Sequence, residues 1–148
     1  MAETRETDPR ARVPQRVMTQ LLAEKVVKGA QAKAKSLGID MSVAVVDESG
    51  NLAYFVRGDN CGFHTAETAR GKAVMAASFR RPTHEMLPSL QANPAFWAAI
   101  AGPLRLVPGG GGYPLTKDGV IIGGVGCGGG IGSEDEECAE AGAKAINS

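Results

Sequence analysis

Residues 121–130 read Ile-Ile-Gly-Gly-Val-Gly-Cys-Gly-Gly-Gly, and residues 133–137 read Ser-Glu-Asp-Glu-Glu. The apolar start of this stretch predicts a strand, and its acidic end predicts the beginning of a helix. Glycine weakens a strand unless another backbone or a ligand must come close to it. The stretch therefore predicts a strand that another backbone or a ligand approaches closely.

The spacing of Gly124, Gly126 and Gly129 also matches the G-x-G-x-x-G motif of dinucleotide-binding folds. That motif requires a following βαβ unit and an acidic residue about 20 positions further on. Here one helix and the end of the chain follow. The acidic run at 134–137 would also repel an anionic phosphate from the start of that helix. The sequence therefore argues against a nucleotide site.

Helical periodicity predicts a long amphipathic helix over residues 13–37. Thr65 is predicted to cap a second helix, whose alanine face is suited to close packing. Two short helices are predicted to begin at Thr83 and Asn93. A capping box at 133–136 is predicted to open the last helix.

Runs of apolar and β-branched residues predict five strands, at 41–47, 52–57, 104–107, 113–116 and 120–127. The first two form a hairpin around the turn at 48–51. Strands grouped apart from helices predict an α+β fold, with an antiparallel sheet of about five strands and helices packed on it.

Composition predicts one domain, residues 17–148, preceded by a flexible N-terminus, residues 1–16, without the apolar segment of a signal peptide or anchor. Sixteen basic residues balance sixteen acidic ones, which disfavours nucleic acid and membrane partners. Three cysteines without a C-x-x-C pair disfavour a zinc site or a disulfide framework and favour the cytoplasm. Abundant alanine and glycine favour a homo-oligomer.

A set of short motifs carries a resemblance to a known family, and the resemblance extends from about Ser42 to the C-terminus. The motifs are 45–52 (VVDESGNL), Arg57, 66–73 (AETARGKA), 76–83 (AASFRRPT), 110–114 (GGGYP), 119–126 (GVIIGGVG) and Glu134-Asp135. In their order and spacing they resemble the GlcG/HbpS-like family of haem-binding and haem-degrading domains. The chain departs from the family pattern at Cys127, where a small hydroxyl residue is common.

This resemblance implies a profilin-like fold, a homo-oligomer with a small-molecule pocket near a subunit interface, and haem or another planar molecule as the ligand. Functions within the family are mixed and include hydroxylaminobenzoate-lyase-like enzymes. Since one fold hosts many activities, the resemblance alone does not assign the chemistry.

The sequence contains two histidines. His64, on a loop beside Phe63, is a candidate axial ligand for haem iron, or else a solvated loop residue. His84 is predicted to lie in the first turn of a short helix and to need no ligand. Lys72 and Arg57 are candidates for binding a carboxylate, whether a haem propionate or a small aromatic acid. Each could instead be a surface charge or an ion-pair partner of Asp47 or Asp59.

The remaining candidates for ligand binding are Arg80, Thr83, Tyr113 and Cys127. Arg80 could clamp a carboxylate or interact with the end of a helix dipole. The Thr83 hydroxyl could cap a helix or donate to a ligand, and Tyr113 could line a pocket. Cys127 is a candidate thiol near a helix N-terminus, although the adjacent acidic run opposes its activation. No catalytic residue and no protein metal site is assigned.

The sequence therefore leads to a small-molecule-binding protein that binds haem, with haem degradation or storage as its role. The alternative is a cofactor-free lyase or isomerase acting on a small, perhaps aromatic, carboxylic acid. A structural subunit without a ligand is a third reading.

Overall fold

The computed structural model describes residue 10 and residues 16–148. The flexible N-terminus predicted for residues 1–16 lies outside the described residues, apart from residues 10 and 16. The described elements are α1 (Gln20–Ser36), β1 (Ser42–Asp47), β2 (Leu52–Val56), α2 (Thr65–Phe79), a 3₁₀ turn (Thr83–Met86), α3 (Leu87–Ala92), α4 (Pro94–Ala101), β3 (Gly112–Lys117), β4 (Val120–Gly128) and α5 (Gly132–Ala145). None of these helices is both long and apolar enough to cross a bilayer.

The strands form one antiparallel sheet in the order β2-β1-β4-β3. Val125 of β4 is paired with Val45 on one side and Tyr113 on the other, which places β4 in the interior of the sheet. The α+β class is confirmed, and the described residues contain four strands rather than about five.

The missing strand is the one predicted at 104–107. Arg105 adopts a left-handed conformation, φ 53°, which a strand does not accommodate. Its guanidinium binds the carboxylate of Glu67 at 2.7 Å, and Leu106 packs in a small core with Trp97. These contacts hold the segment as a loop over α2.

One face of the sheet is covered by α1 and α5, which cross closely at two glycines. A Cβ on Gly29 would lie 2.6 Å from the Cβ of Ala145, and one on Gly142 would lie 2.9 Å from the carbonyl oxygen of Val26. This layer contains the main core, including Val43, Val45, Leu115, Val125, Cys127, Cys138 and Ile146.

The other face of the sheet is covered by α2, which lies directly on the glycines of β4. A Cβ on Gly126 would overlap the carbonyl oxygen of Ala69, and one on Gly124 would overlap that of Ala73. The predicted close approach is therefore confirmed, and the approaching group is the backbone of the chain's own helix. A planar ligand has no room at this face, because α2 occupies it.

Two predicted helix caps are wrong, the cap of α2 by one position and that of α5 by two. Thr65 is the first residue of α2, and its hydroxyl donates to the carbonyl oxygen of Gly62 at 2.7 Å. At α5 the carboxylate of Glu134 accepts from the backbone N–H of Ile131 at 2.9 Å, so the helix begins at Gly132. Both shifts are within the usual uncertainty of helix ends.

Candidate functional site

Loop 108–112 contacts the middle of α2 at Lys72 and lies against the start of α5. Gly109 and Gly111 have φ values of 141° and 115°, a region that side chains rarely tolerate. A Cβ on Gly111 would lie 2.7 Å from the Cβ of Asp135 and 3.1 Å from Nζ of Lys72. Glycine therefore allows this loop to cover a charged pair.

That charged pair is Lys72 and Asp135, which are both buried. Lys72 Nζ lies 2.9 Å from Oδ2 of Asp135 and donates to the carbonyl oxygen of Cys127 at 3.0 Å. The other oxygen of Asp135 accepts from the N–H of Gly130 at 3.0 Å. Burial raises the pKa of Asp135, and the hydrogen bond and charge of Lys72 only partly oppose it.

Lys72 thus has a protein partner, although not the aspartates considered from the sequence, Asp47 and Asp59. The ammonium group binds Asp135 of α5 and the carbonyl oxygen of Cys127 in β4, and about one tenth of the Lys72 side chain is exposed. Binding of a ligand carboxylate by Lys72 stays a prediction, and it would require the pair with Asp135 to open.

Thr83 connects the 3₁₀ turn to the loop. Its side chain is fully buried, and Oγ1 accepts a hydrogen bond from the N–H of Gly112 at 3.0 Å. The hydroxyl therefore acts within the protein, and it fixes the next residue, His84, beside the loop.

His84, Tyr113 and Glu136 form a group at the edge of the loop, which we call the loop rim. The rings of His84 and Tyr113 have centroids 6.0 Å apart. Nδ1 of His84 lies 4.0 Å from Oε1 of Glu136 and is buried without a hydrogen-bond partner among the described residues. The His84 side chain as a whole is 37% exposed, so the imidazole remains accessible from solvent.

The surroundings of Tyr113 favour the protonated form of its phenol. Burial raises the pKa of its phenol, and nearby carboxylates add to the effect, namely those of Glu140, Glu136 and Glu85. The phenol therefore stays protonated at neutral pH and can donate a hydrogen bond.

Cys127 lies in the core on the opposite face of β4 from α2 and has no exposed surface. Burial raises the pKa of its thiol well above the ordinary value, and the charges of Cys138 and Asp135 add to this. A buried, protonated thiol is a poor nucleophile and a poor iron ligand.

The other predicted ligand-binding residues lie away from the loop. Arg57 is exposed at a separate cleft of about 480 Å³ between the ends of α1 and β2. His64 is exposed before the first turn of α2. Arg80 is the exposed C-cap of the same helix, with φ 57°. The structure thus gathers Lys72, Thr83, Tyr113 and Cys127 around loop 108–112 and leaves Arg57, His64 and Arg80 apart.

Sequence reasoning missed three members of this site. The sequence places Asp135 in the acidic run that begins the last helix, yet this residue is 4% exposed. It places His84 in the first turn of a short helix and Glu136 in a capping box, and the structure brings the two side chains together. The sequence carries no local signal for these roles, because each depends on how the loop and α5 pack. No group of three or more metal-ligating side chains is assembled among the described residues.

Comparisons with known proteins identify similar chains. The family model described as "Haem degrading protein HbpS-like" matches residues 18–144. Protein GlcG of Escherichia coli is 34% identical over 113 residues, which cover 74% of this chain and 80% of that protein.

Two crystal structures share both fold and sequence with this chain. The structure of HbpS superimposes with a TM-score of 0.79 at 32% identity, covering 93% of this chain and 96% of that one. The structure of the PduOC:Heme complex has a TM-score of 0.80 at 28% identity, covering 88% of this chain and 95% of that one.

Proposed function

We propose, from the premise that this chain belongs to the HbpS-like family of haem degrading proteins, that it binds haem against the loop rim. A domain of the same fold is known in complex with haem, the PduOC domain. The single observation that carries the proposal is the position of the His84 imidazole. It is accessible from solvent, and its Nδ1 lies near the Glu136 carboxylate but has no hydrogen-bond partner in the part of the chain that the structure describes.

The chemistry of His84 fits a haem ligand. Metal-ligating histidines usually offer one ring nitrogen to the metal and the other to a carboxylate or carbonyl group that orients the ring. Glu136 lies 4.0 Å from Nδ1, which leaves Nε2 for iron. A small movement of either side chain would complete the hydrogen bond between Nδ1 and Glu136.

Other parts of the proposed site complement the remaining features of haem. The ring of Tyr113 offers an aromatic face beside His84. Arg81 is exposed and lies just before the turn that carries His84, so it is a suitable partner for a propionate. Haem iron, when bound, supplies redox chemistry. The residues of the loop rim bind and orient it.

Other candidate iron ligands fit less well. The Thr83 hydroxyl already accepts from Gly112, and Cys127 is fully buried with a raised pKa. His64 is exposed beside Phe63, whose side chain is 84% exposed, and it is the histidine against which His84 must be tested.

The test is a titration of the protein with hemin, followed by the Soret band, in wild type, His84→Ala and His64→Ala. We expect saturable binding in wild type and His64→Ala, and at least about tenfold weaker binding in His84→Ala, the loss expected for one strong ligand. Glu136→Gln should weaken binding less. Lys72 variants are unsuitable here, because they disturb a buried ion pair.

Two results would contradict the proposal. Loss of binding in His64→Ala with unchanged binding in His84→Ala would move the site to the start of α2. Spectra without saturation would remove haem as a ligand.

If haem binds, adding a reductant and air to the saturated complex tests haem degradation, since loss of the Soret band reports turnover and its persistence favours storage.

The alternative function, a cofactor-free lyase or isomerase, gains no support from the site. It depended on Lys72 or Arg57 to hold the carboxylate of a substrate, and the structure engages Lys72 with Asp135. The homo-oligomer also stays a prediction, which analytical ultracentrifugation tests directly. Phe63 and Ile131, 84% and 68% exposed, are apolar residues that an interface would cover.

A further inference from the structure

We propose that a second site, built around Arg70 and separate from the loop rim, binds a small monocarboxylate with an apolar body. The site is a cavity of about 350 Å³ between the β1–β2 turn, α2 and the loop after α4. It shares no residue with the loop rim, so it stands whether or not the protein binds haem.

The lining of this cavity combines apolar walls with a few polar groups. The residues are Glu48, Ser49, Gly50, Arg70, Val74, Ser78, Leu104 and Leu106. Its volume lies within the range of about 300–1,000 Å³ that is typical of small-molecule sites. Val74, Leu104 and Leu106 would contact the body of a ligand, and the hydroxyls of two serines would contact its polar end.

Arg70 retains unused hydrogen-bonding capacity in this cavity. Its Nη2 donates to the carbonyl oxygen of Arg105 at 2.7 Å. Its Nε is buried and has no hydrogen-bond partner among the described residues. The side chain is 15% exposed, so the guanidinium is largely removed from water. Because Nε is closed to solvent, a ligand carboxylate would pair with Nη1, which makes no hydrogen bond among the described residues.

The nearest acid does not fill this role. Oε2 of Glu67 lies 3.7 Å from Nε of Arg70, which is beyond hydrogen-bond distance. The same carboxylate is held by Nη2 of Arg105 through both oxygens, at 2.7 and 2.8 Å. Glu67 therefore forms an ion pair with the Nε side of Arg70 without lining the cavity, and it leaves Nη1 without a hydrogen bond among the described residues.

The walls of the cavity are fixed before any ligand binds. The carboxylate of Asp47 accepts from the N–H groups of Ser49 and Asn51, both at 2.9 Å, which locks the β1–β2 turn. A Cβ on Gly50 would lie 3.5 Å from Val74, so the turn packs directly on α2. Leu106 is held by its N–H to the carbonyl oxygen of Ala101 at 2.8 Å. Such preorganisation lowers the entropic cost of binding.

Glu48 narrows the class of ligand. It is an exposed carboxylate at the edge of the cavity, and it repels negative charge. A ligand with one carboxylate can reach Arg70 while its apolar body lies between the charges. A dianion would place its second charge closer to Glu48, so we assign the site to monoanions.

Benzoate is the probe, with benzamide as its uncharged counterpart, and binding is measured by titration calorimetry and amide chemical shifts. We expect saturable binding of benzoate that Arg70→Gln weakens by about tenfold or more, the value of one charge-assisted contact. Glu48→Gln should tighten binding by about two- to threefold, because it removes a screened like charge. Benzamide should bind at least about tenfold more weakly than benzoate.

A variant that fills the cavity gives an independent test if Arg70→Gln disturbs the loop. Ser78 is exposed on α2, so Ser78→Phe should block benzoate, whereas Ala32→Phe at an exposed position of α1 should not. Circular dichroism checks the fold of each variant. Equal binding of benzoate and benzamide, unchanged binding in Arg70→Gln or Ser78→Phe, or no saturable binding would each overturn the proposal.

Discussion

Strand β4 and loop 108–112 are both rich in glycine, but they need it for different physical reasons. In β4, Gly124 and Gly126 make room for the backbone of α2, and any Cβ would overlap a carbonyl oxygen. In the loop, Gly109 has open space around it and is needed for its φ of 141°. Position 111 requires glycine for both reasons, because its φ is positive and it lies close to a charged pair.

This difference shows that glycine density does not by itself locate a ligand. Strand β4, although rich in glycine, packs against the chain's own helix. The loop is the segment that borders accessible polar side chains, because its backbone conformation bends it over Lys72 and past the loop rim. A glycine-rich strand indicates close packing, and only the surrounding side chains indicate function.

The largest expected effect concerns the buried pair of Lys72 and Asp135, which the loop glycines cover. Lys72→Met leaves Asp135 buried and unpaired, and should lower the free energy of unfolding by about 3–5 kcal/mol, measured by urea denaturation. In contrast, the double variant Lys72→Met with Asp135→Leu should recover much of this loss, because desolvation offsets most of the attraction in a buried pair. No recovery in the double variant would show that the pair contributes a large net stabilisation.

The next effect separates the two kinds of glycine. Gly126→Ala forces a Cβ into the carbonyl oxygen of Ala69, which no side-chain rotation relieves, and should cost about 3 kcal/mol. Gly109→Ala meets no atom within 4 Å and should cost only its unfavourable φ, about 1–2 kcal/mol. Both values come from urea denaturation.

Gly132→Ala is the matched control for both substitutions. Gly132 begins α5, and a Cβ there meets nothing within 4 Å. Its replacement should be neutral or should stabilise by up to about 1 kcal/mol, since alanine favours a helix. Equal losses in Gly126→Ala and Gly109→Ala would remove the distinction between packing and conformation.

The smallest effect concerns the pH dependence at the loop rim. Burial raises the pKa of Tyr113, so the folded protein keeps this proton at a pH where the unfolded chain has lost it. Stability should therefore fall as pH rises beyond the ordinary value of about 10. Tyr113→Phe should remove that part of the fall, seen by comparing urea midpoints at about pH 8 and about pH 10.5.

An alkaline loss that is the same in wild type and Tyr113→Phe would contradict the raised pKa. Titration of tyrosinate absorbance gives a second check. Tyr54, the other tyrosine, is common to both proteins. The difference between the two titration curves therefore reports Tyr113 alone.

Much of the fold could be predicted because its signals are local. Runs of β-branched and apolar residues on either side of a turn predict the hairpin of β1 and β2, and alanine spacing predicts the packing face of α2. The strand predicted at 104–107 was wrong, because long-range contacts of Arg105 and Leu106 outweigh a short apolar pattern. The site was harder to predict, since Lys72 and Asp135 are 63 residues apart and meet only after α5 docks.

The sequence by itself determined the α+β order of elements, the family and the need for a close approach to β4. These follow from periodicity, residue size and turn chemistry, which act over a few residues. Only the tertiary structure decided that α2 fills the glycine face and that Lys72 is paired with Asp135. It also decided that His84 and Arg70 each keep a nitrogen without a hydrogen bond to any described residue. Burial and partners are properties of packed surfaces, and distant segments create them together.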